Sequence, residues 1–266
     1  MRIIVTRPRL EAETWVRQLR VHQFDAVALP LIHISPGPHD ASVAHRWLNL
    51  HQYRAVMFVS SNAVRYFFQS NQALAGDKWA SSAIKSRAWA TGPGTREALL
   101  AQSVSADLID APALDAKQFD SEALWRRVQS QVKTGDKVLI VRGCSLDPQD
   151  DAEGVAMNGR PWLADQLTAA GVQVDVVVSY QRSVPVLTAA EQALMAQASI
   201  DGSLWLLSSS EAVANLRALT ALNWRQARAL ATHPRIAQAA RDAGFGVVYE
   251  SRPLLADVTA SIESLL

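Results

Sequence analysis

Residues 15–32, "WVRQLRVHQFDAVALPLI", and residues 162–180, "WLADQLTAAGVQVDVVVSY", read as two copies of one pattern. Each begins with a tryptophan on a stretch of helical periodicity and ends in a long apolar run of extended character. A similar strand comes before each copy, "IIVTRP" (Ile3–Pro8) and "VLIVRG" (Val138–Gly143). Two more pairs match: "VSSNAVRYF" (Val59–Phe67) with "SSSEAVANL" (Ser208–Leu216), and "ATGPGTREAL" (Ala90–Leu99) with "ATHPRIAQAA" (Ala231–Ala240). Internal similarity of this kind marks repeated structural units.

Working outward, short Val/Ile/Leu-rich runs alternate with amphipathic segments, which is the pattern of βα units around a parallel sheet. Strands are expected at Ile3–Thr6, Ala55–Val59, Ala88–Ala90, Lys137–Val141, Leu204–Leu207, Arg228–Ala231 and Gly246–Tyr249. Ser, Thr, Asn or Asp before the following helices suits N-caps. The runs Phe24–Pro36 and Val172–Pro185 are longer, and both close at a proline. One copy of the strand–helix–extended pattern opens the chain and the other sits in its middle. The expected fold class is therefore α/β: two similar doubly wound parallel-sheet domains joined by a two-stranded linker. A discontinuous domain takes 1–35 plus 183–266, an inserted domain takes 37–173, and the linker strands are about 24–36 and 172–185. A cleft between such lobes is a natural ligand site, and open α/β sheets bind at the carboxyl ends of their strands.

The chain has 266 residues, 49% of them hydrophobic and 19% charged, as in globular proteins that bury a sizeable core. With 26 basic and 25 acidic residues the formal charge is +1, so no basic face for nucleic acid is expected and anion binding must be local. No run has the length of a membrane span and the N-terminus lacks a signal-peptide pattern, so a cytoplasmic location without membrane contact is expected. Cys144 is the one cysteine, which excludes an internal disulfide. The histidines His22, His33, His39, His45, His51 and His233 show no metal-binding spacing, and no metal is expected.

Phosphate-loop, dinucleotide and serine-elbow motifs are absent. The remaining polar groups gather at strand-to-helix turns: Thr6-Arg7, Ser60-Ser61-Asn62, Thr91, Gly92 and Thr95, Arg142-Gly143, Ser209-Ser210, and Thr232. Such turns can hold an anion through hydroxyls, backbone N–H groups and helix dipoles; they can equally be simple caps. Arg7 and Arg142 stand at matching places after repeated strands, either as surface arginines or as carboxylate partners. Tyr180 ends the second copy, as strand packing or as a phenol donor. Trp15 and Trp162, two of eight tryptophans, fall on apolar helix faces and are expected in the core.

Taken in order, T-R-P after the first strand, "FVSSNAV", "ATGPGTREAL", "VLIVRG", "WLADQLTAAG", "VVVSYQRS" and "LLSSSEAV" resemble uroporphyrinogen-III synthases over essentially the whole chain. The resemblance implies a cofactor-independent enzyme of tetrapyrrole synthesis. Such an enzyme cyclises linear hydroxymethylbilane to uroporphyrinogen III, losing water and inverting ring D through an azafulvene and a spiro intermediate. It also implies a monomer, open to transient contact with the preceding enzyme of the pathway. Tyr180 stands where the family's candidate proton donor stands, and the polar turns would meet the substrate's acetates and propionates. Arg160, at the end of the acidic segment Gly143–Arg160 expected as a mobile loop, joins that binding set, as does Arg235. The chain departs from the family at His233-Pro234-Arg235-Ile236, where glycine and threonines are usual and where Thr232 and Arg235 remain. The other classes considered are a cytoplasmic two-lobed small-anion binding protein and a phosphosugar or nucleotide-sugar enzyme.

Overall fold

The computed structural model describes residues 1–38, 40–72, 86–113, 115–116, 118–145 and 162–266. The strands are β1 (Arg2–Val5), β2 (Asp25–Ala28), β3 (His33–Pro36), β4 (Ala55–Phe58), β5 (Arg87–Ala90), β6 (Ile109–Asp110), β7 (Lys137–Ser145), β8 (Gln173–Ser183), β9 (Leu204–Leu207), β10 (Arg228–Ala231) and β11 (Val247–Glu250). The helices are α1 (Arg9–Val21), α2 (Asp40–Leu48), α3 (Ser61–Gln72), α4 (Pro93–Ala101), α5 (Ser121–Val128), α6 (Trp162–Ala169), α7 (Ala189–Ala198), α8 (Ser210–Leu219), α9 (Pro234–Asp242) and α10 (Leu255–Glu263). The chain divides into two compact units, Met1–His33 with Ser183–Leu266, and Ile34–Arg182.

In the first unit the strand order is β11-β10-β9-β1-β2, and each neighbouring pair is parallel. Numbered along the chain within the unit this is the doubly wound order 2-1-3-4-5, whose direction reverses between β1 and β9. The alternation of side chains explains the two-sided burial. Leu204 and Leu206 join Val16, Leu19, Val258 and Ile262 on one face of the sheet. Trp205, between them, turns to the other face, edge-on to Trp224 and Phe245 at 5.1 and 6.1 Å. Its indole Nε1–H donates to the Ala198 carbonyl at 3.0 Å, so the buried polar end is satisfied.

The second sheet runs β3-β8-β7-β4-β5-β6. Without β3, it repeats the first under the sequence correspondences β7 to β1, β8 to β2, β4 to β9 and β5 to β10. Here, however, the β4–β5–β6 half precedes the β7–β8 half in the chain. The second unit is thus a circular permutation of the first, which explains why one copy of the opening pattern lies mid-chain. Phe58 and Val56 pack with Trp47, Phe67 and Leu99 on one face. Met57 and Ala55 pack with Trp89, Leu124 and Leu163 on the other. Alternate residues of one strand therefore support helices on both sides. Trp15 and Trp162 are partly buried and pack against these cores from their edges.

The two long extended runs have different fates. The first is divided: Asp25–Ala28 lies in the first sheet and His33–Pro36 beside β8 in the second. The second run is β8, paired with β7 from Lys137↔Gln173 to Ser145↔Arg182. β7 itself continues past Val141 through Arg142, Gly143 and Cys144 to Ser145, so Arg142-Gly143 is not a strand-to-helix turn. A register shift between Arg142 and Gly143 leaves Ser179 as the extra residue on β8. The short β6 has no counterpart among the expected strands. The Arg87–Asp110 ion pair fixes it to β5.

Candidate active site

In the second unit the winding reverses between β7 and β4, the place where a doubly wound sheet opens a crevice at its carboxyl edge. β4 ends at Phe58, and Ser60 follows as the cap of α3, its Oγ accepting the Ala63 N–H at 3.1 Å. The Tyr180 hydroxyl lies 3.0 Å from the same Oγ. Tyr180 is only 3% exposed, and its ring stacks on Tyr66 of α3 at 6.2 Å with planes 20° apart. Gly143 makes this seat possible. A Cβ there would fall 2.4 Å from the ring's Cζ and 2.6 and 2.8 Å from its two Cε atoms.

Arg142 brings positive charge to the phenol. Burial lowers the Arg142 pKa, Arg182 lowers it further, and Tyr180 and Cys144 work in the opposite direction. Arg142 Nε donates to the Gly143 carbonyl at 3.3 Å, and Arg182 Nη2 to Ser145 Oγ at 3.2 Å. The N-terminus of α3 adds its partial positive charge. Cys144 is buried, and burial pushes its thiol pKa up, which argues against a nucleophilic role.

The first unit carries the matching switch point between β1 and β9. Thr6 is buried and its hydroxyl donates to the Leu206 carbonyl at 2.8 Å, tying the two strands together. Arg7 lies over the Trp15 ring at 4.4 Å and 3.7 Å from Glu11. Its Nε is buried without a hydrogen-bond partner, and burial is the main cause of its lowered pKa. Ser209 caps α8 by accepting from Glu211 N–H at 3.2 Å, whereas the neighbouring Ser210 Oγ is buried without a partner.

At the other turns, Thr91 Oγ1 donates to the Val59 carbonyl at 3.2 Å, Thr95 is buried in the first turn of α4, and Thr232 is buried after β10. Gly92 is the N-cap of α4, with Phe119 packed where a side chain would start. Ser61 and Asn62 form the first turn of α3, with Asn62 buried. The altered second copy still caps its helix. His233 Nδ1 accepts from Arg235 N–H at 3.1 Å, so a neutral imidazole does the work of a serine, and Arg235 stays exposed. Arg160 lies outside the described residues.

The geometry gathers Ser60, Arg142, Gly143 and Tyr180 in the second unit and Thr6, Arg7, Ser209 and Ser210 in the first. The hydroxyls of Thr6, Thr91 and Ser209 each make an internal hydrogen bond. Sequence reasoning missed Tyr66 and Arg182. Arg182 stands two residues after Tyr180 on one strand, a spacing that places both on one face and could have flagged it. Among the described residues, no group of three His, Cys, Asp or Glu could hold a metal, and no helix is long and apolar enough to cross a membrane.

Residues 13–259 match the family model described as uroporphyrinogen-III synthase HemD. The chain is 30% identical to the uroporphyrinogen-III synthase of Salmonella typhimurium and 29% to that of Escherichia coli, in both cases over 250 residues and 92% of either chain. Among solved structures it resembles the uroporphyrinogen-III synthetase of Helicobacter pylori, with 17% identity, a TM-score of 0.57 and full coverage of both chains. A mutant uroporphyrinogen III synthase of Thermus thermophilus gives 16% identity and a TM-score of 0.55, covering 100% of this chain and 98% of that one. These structural likenesses concern the fold.

Proposed function

Because the chain belongs to the uroporphyrinogen-III synthase family, we propose that its polar cluster at β4, β7 and β8 carries out the cyclisation of hydroxymethylbilane to uroporphyrinogen III. The enzyme acts in tetrapyrrole biosynthesis. The observation that carries the assignment of the site is the Tyr180 phenol, held at a switch point against Ser60 and in the field of the Arg142 guanidinium. The hydroxymethyl C–O bond breaks as Tyr180 protonates the departing oxygen, which leaves as water. The electrons come from the pyrrole nitrogen, giving an azafulvene. Ring D attacks the exposed methylene through its substituted carbon, the spiro intermediate fragments, and ring D recloses in the opposite sense. The proton lost on rearomatisation balances the one given by Tyr180.

The protein's main task is to hold the flexible bilane in the reactive fold. The substrate's acetates and propionates need distributed anion contacts, and a chain of net charge +1 must supply them locally. In the second unit Arg142 is the cationic contact we assign, with the N–H groups after Gly92 at the start of α4 as further donors and Arg160 extending the set; in the first unit Arg7, Arg235 and Ser210 are separate candidates for anion contacts. We place the enzyme in the cytoplasm as a monomer that needs no cofactor. It meets neither membrane nor nucleic acid, and it contacts the preceding enzyme at most transiently.

Uroporphyrinogen III, kept reduced, is expected to raise the melting temperature. A ligand at a hundredfold excess over Kd adds about 2.7 kcal/mol of stability, which for a chain of this size is a rise of several degrees. Nucleotides and phosphosugars at the same concentration should leave the melting temperature unchanged. A rise with a phosphosugar and none with the tetrapyrrole would favour a phosphosugar enzyme instead.

A further inference from the structure

Ser60 stands at the junction of two roles. Its hydroxyl has one proton to donate and two lone pairs to accept with. One lone pair takes the Ala63 N–H at 3.1 Å, and the Tyr180 oxygen lies 3.0 Å away. A donated N–H bond polarises the serine hydroxyl and makes its own proton a better donor. We infer that Ser60 is the positioning residue of the reaction: it donates its proton to the Tyr180 oxygen, so that the phenolic proton points away from Ser60.

Tyr66 stacks on the phenol ring and Gly143 lies against it, so the ring plane is held, and the bond from Ser60 orients the hydroxyl. When Tyr180 gives up its proton, the bond from Ser60 becomes a hydrogen bond to a phenolate, about twice as strong as its neutral counterpart. The phenolate then lies at the N-terminus of α3 through Ser60, beside the Tyr66 ring on α3 and in the field of Arg142 on β7; Arg182 on β8 interacts with Arg142, and the Cys144 thiol bonds to the Tyr180 backbone carbonyl. Ser60 thus stabilises the ionised donor rather than the substrate, which revises its expected role as a substrate contact. The matching cap in the first unit, Ser209, belongs to a strand set with no tyrosine at the position equivalent to Tyr180. There the aligned run ends in Leu31 and Ile32.

This inference rests on Tyr180 being the proton donor, and its test uses a readout that needs no turnover. Tyrosine ionisation is followed by ultraviolet difference spectroscopy, and subtraction of the Tyr180→Phe protein isolates Tyr180 from the other three of the four tyrosines. In Ser60→Ala the Tyr180 titration is expected to move up by about one pH unit, the size of a lost charge-assisted bond. kcat should fall roughly tenfold with KM unchanged. Ser60→Thr keeps both hydroxyl and cap and should restore both values. Ser209→Ala removes the twin cap, so it should lose comparable stability without moving the Tyr180 titration. An unmoved titration in Ser60→Ala, or an equal shift in Ser209→Ala, overturns the inference. Full turnover in Tyr180→Phe would instead remove the reading on which it rests.

Discussion

Tyr180→Phe is expected to lower kcat by on the order of a hundredfold to a thousandfold, the range lost with a positioned general acid, while KM changes little. Stability should hardly move. The ring is buried, stacked on Tyr66 and seated against Gly143, and phenylalanine keeps all of those contacts. What disappears is one hydroxyl and its bond to Ser60, worth about 0.5–1.5 kcal/mol. Ser60 retains the Ala63 N–H, so the cap of α3 survives. The signature is therefore a large kinetic loss in a protein that melts within a few degrees of the parent. A protein that melts lower and turns over normally would make Tyr180 a packing residue.

Gly143→Ala is the second large effect, and it acts by displacing the donor's ring rather than by removing its hydroxyl. Three ring carbons of Tyr180 lie between 2.4 and 2.8 Å from the position of the new methyl, closer than side-chain atoms can approach. The ring must shift, and the 3.0 Å bond to Ser60 goes with it. Overpacking of this kind costs about 1–3 kcal/mol. Loss of the donor geometry should reduce kcat about as far as Tyr180→Phe does. The two changes disable one function, so their combination is expected to be far from additive in kcat. Stability separates them again: with Tyr180→Ala in the background, the space under residue 143 is empty and Gly143→Ala should cost less. Normal kcat in Gly143→Ala would mean that the ring yields without consequence.

The repeated strands were legible because buried parallel strands are runs of apolar residues and the turns after them keep their polar signature. The pairs "IIVTRP"/"VLIVRG" and "SSNAV"/"SSEAV" carried the topology almost completely. What failed were places where local chemistry and tertiary pairing disagree. Arg142-Gly143 looks like a turn because glycine punctuates strands, yet pairing with β8 carries β7 through it to Ser145. The same glycine is explained only by the ring it faces, a contact between residues 37 positions apart. β6 is two residues long, and nothing local marks it apart from its partner β5. The sequence shows His233 only as a departure from the family's usual residues; the fold gives it a capping role, its imidazole nitrogen accepting the Arg235 N–H. At the site, residue type and place in the repeats put Tyr180, Ser60 and Arg142 among the candidates, and the fold brings them near one another. Type and place did not reveal that Thr6 and Thr91 spend their hydroxyls on neighbouring carbonyls. Tyr66 escaped notice because it lies among Val64, Phe67 and Phe68, where an aromatic residue reads as core.

The most direct measurement is the isomer composition of the product. Hydroxymethylbilane is incubated with the purified protein, the products are oxidised to porphyrins, and the type I and type III isomers are separated. Since ring D inverts only in the catalysed reaction, type III uroporphyrin should predominate with the wild-type protein and fall away in favour of type I in Tyr180→Phe. Type I alone in the presence of the folded wild-type protein would contradict the account.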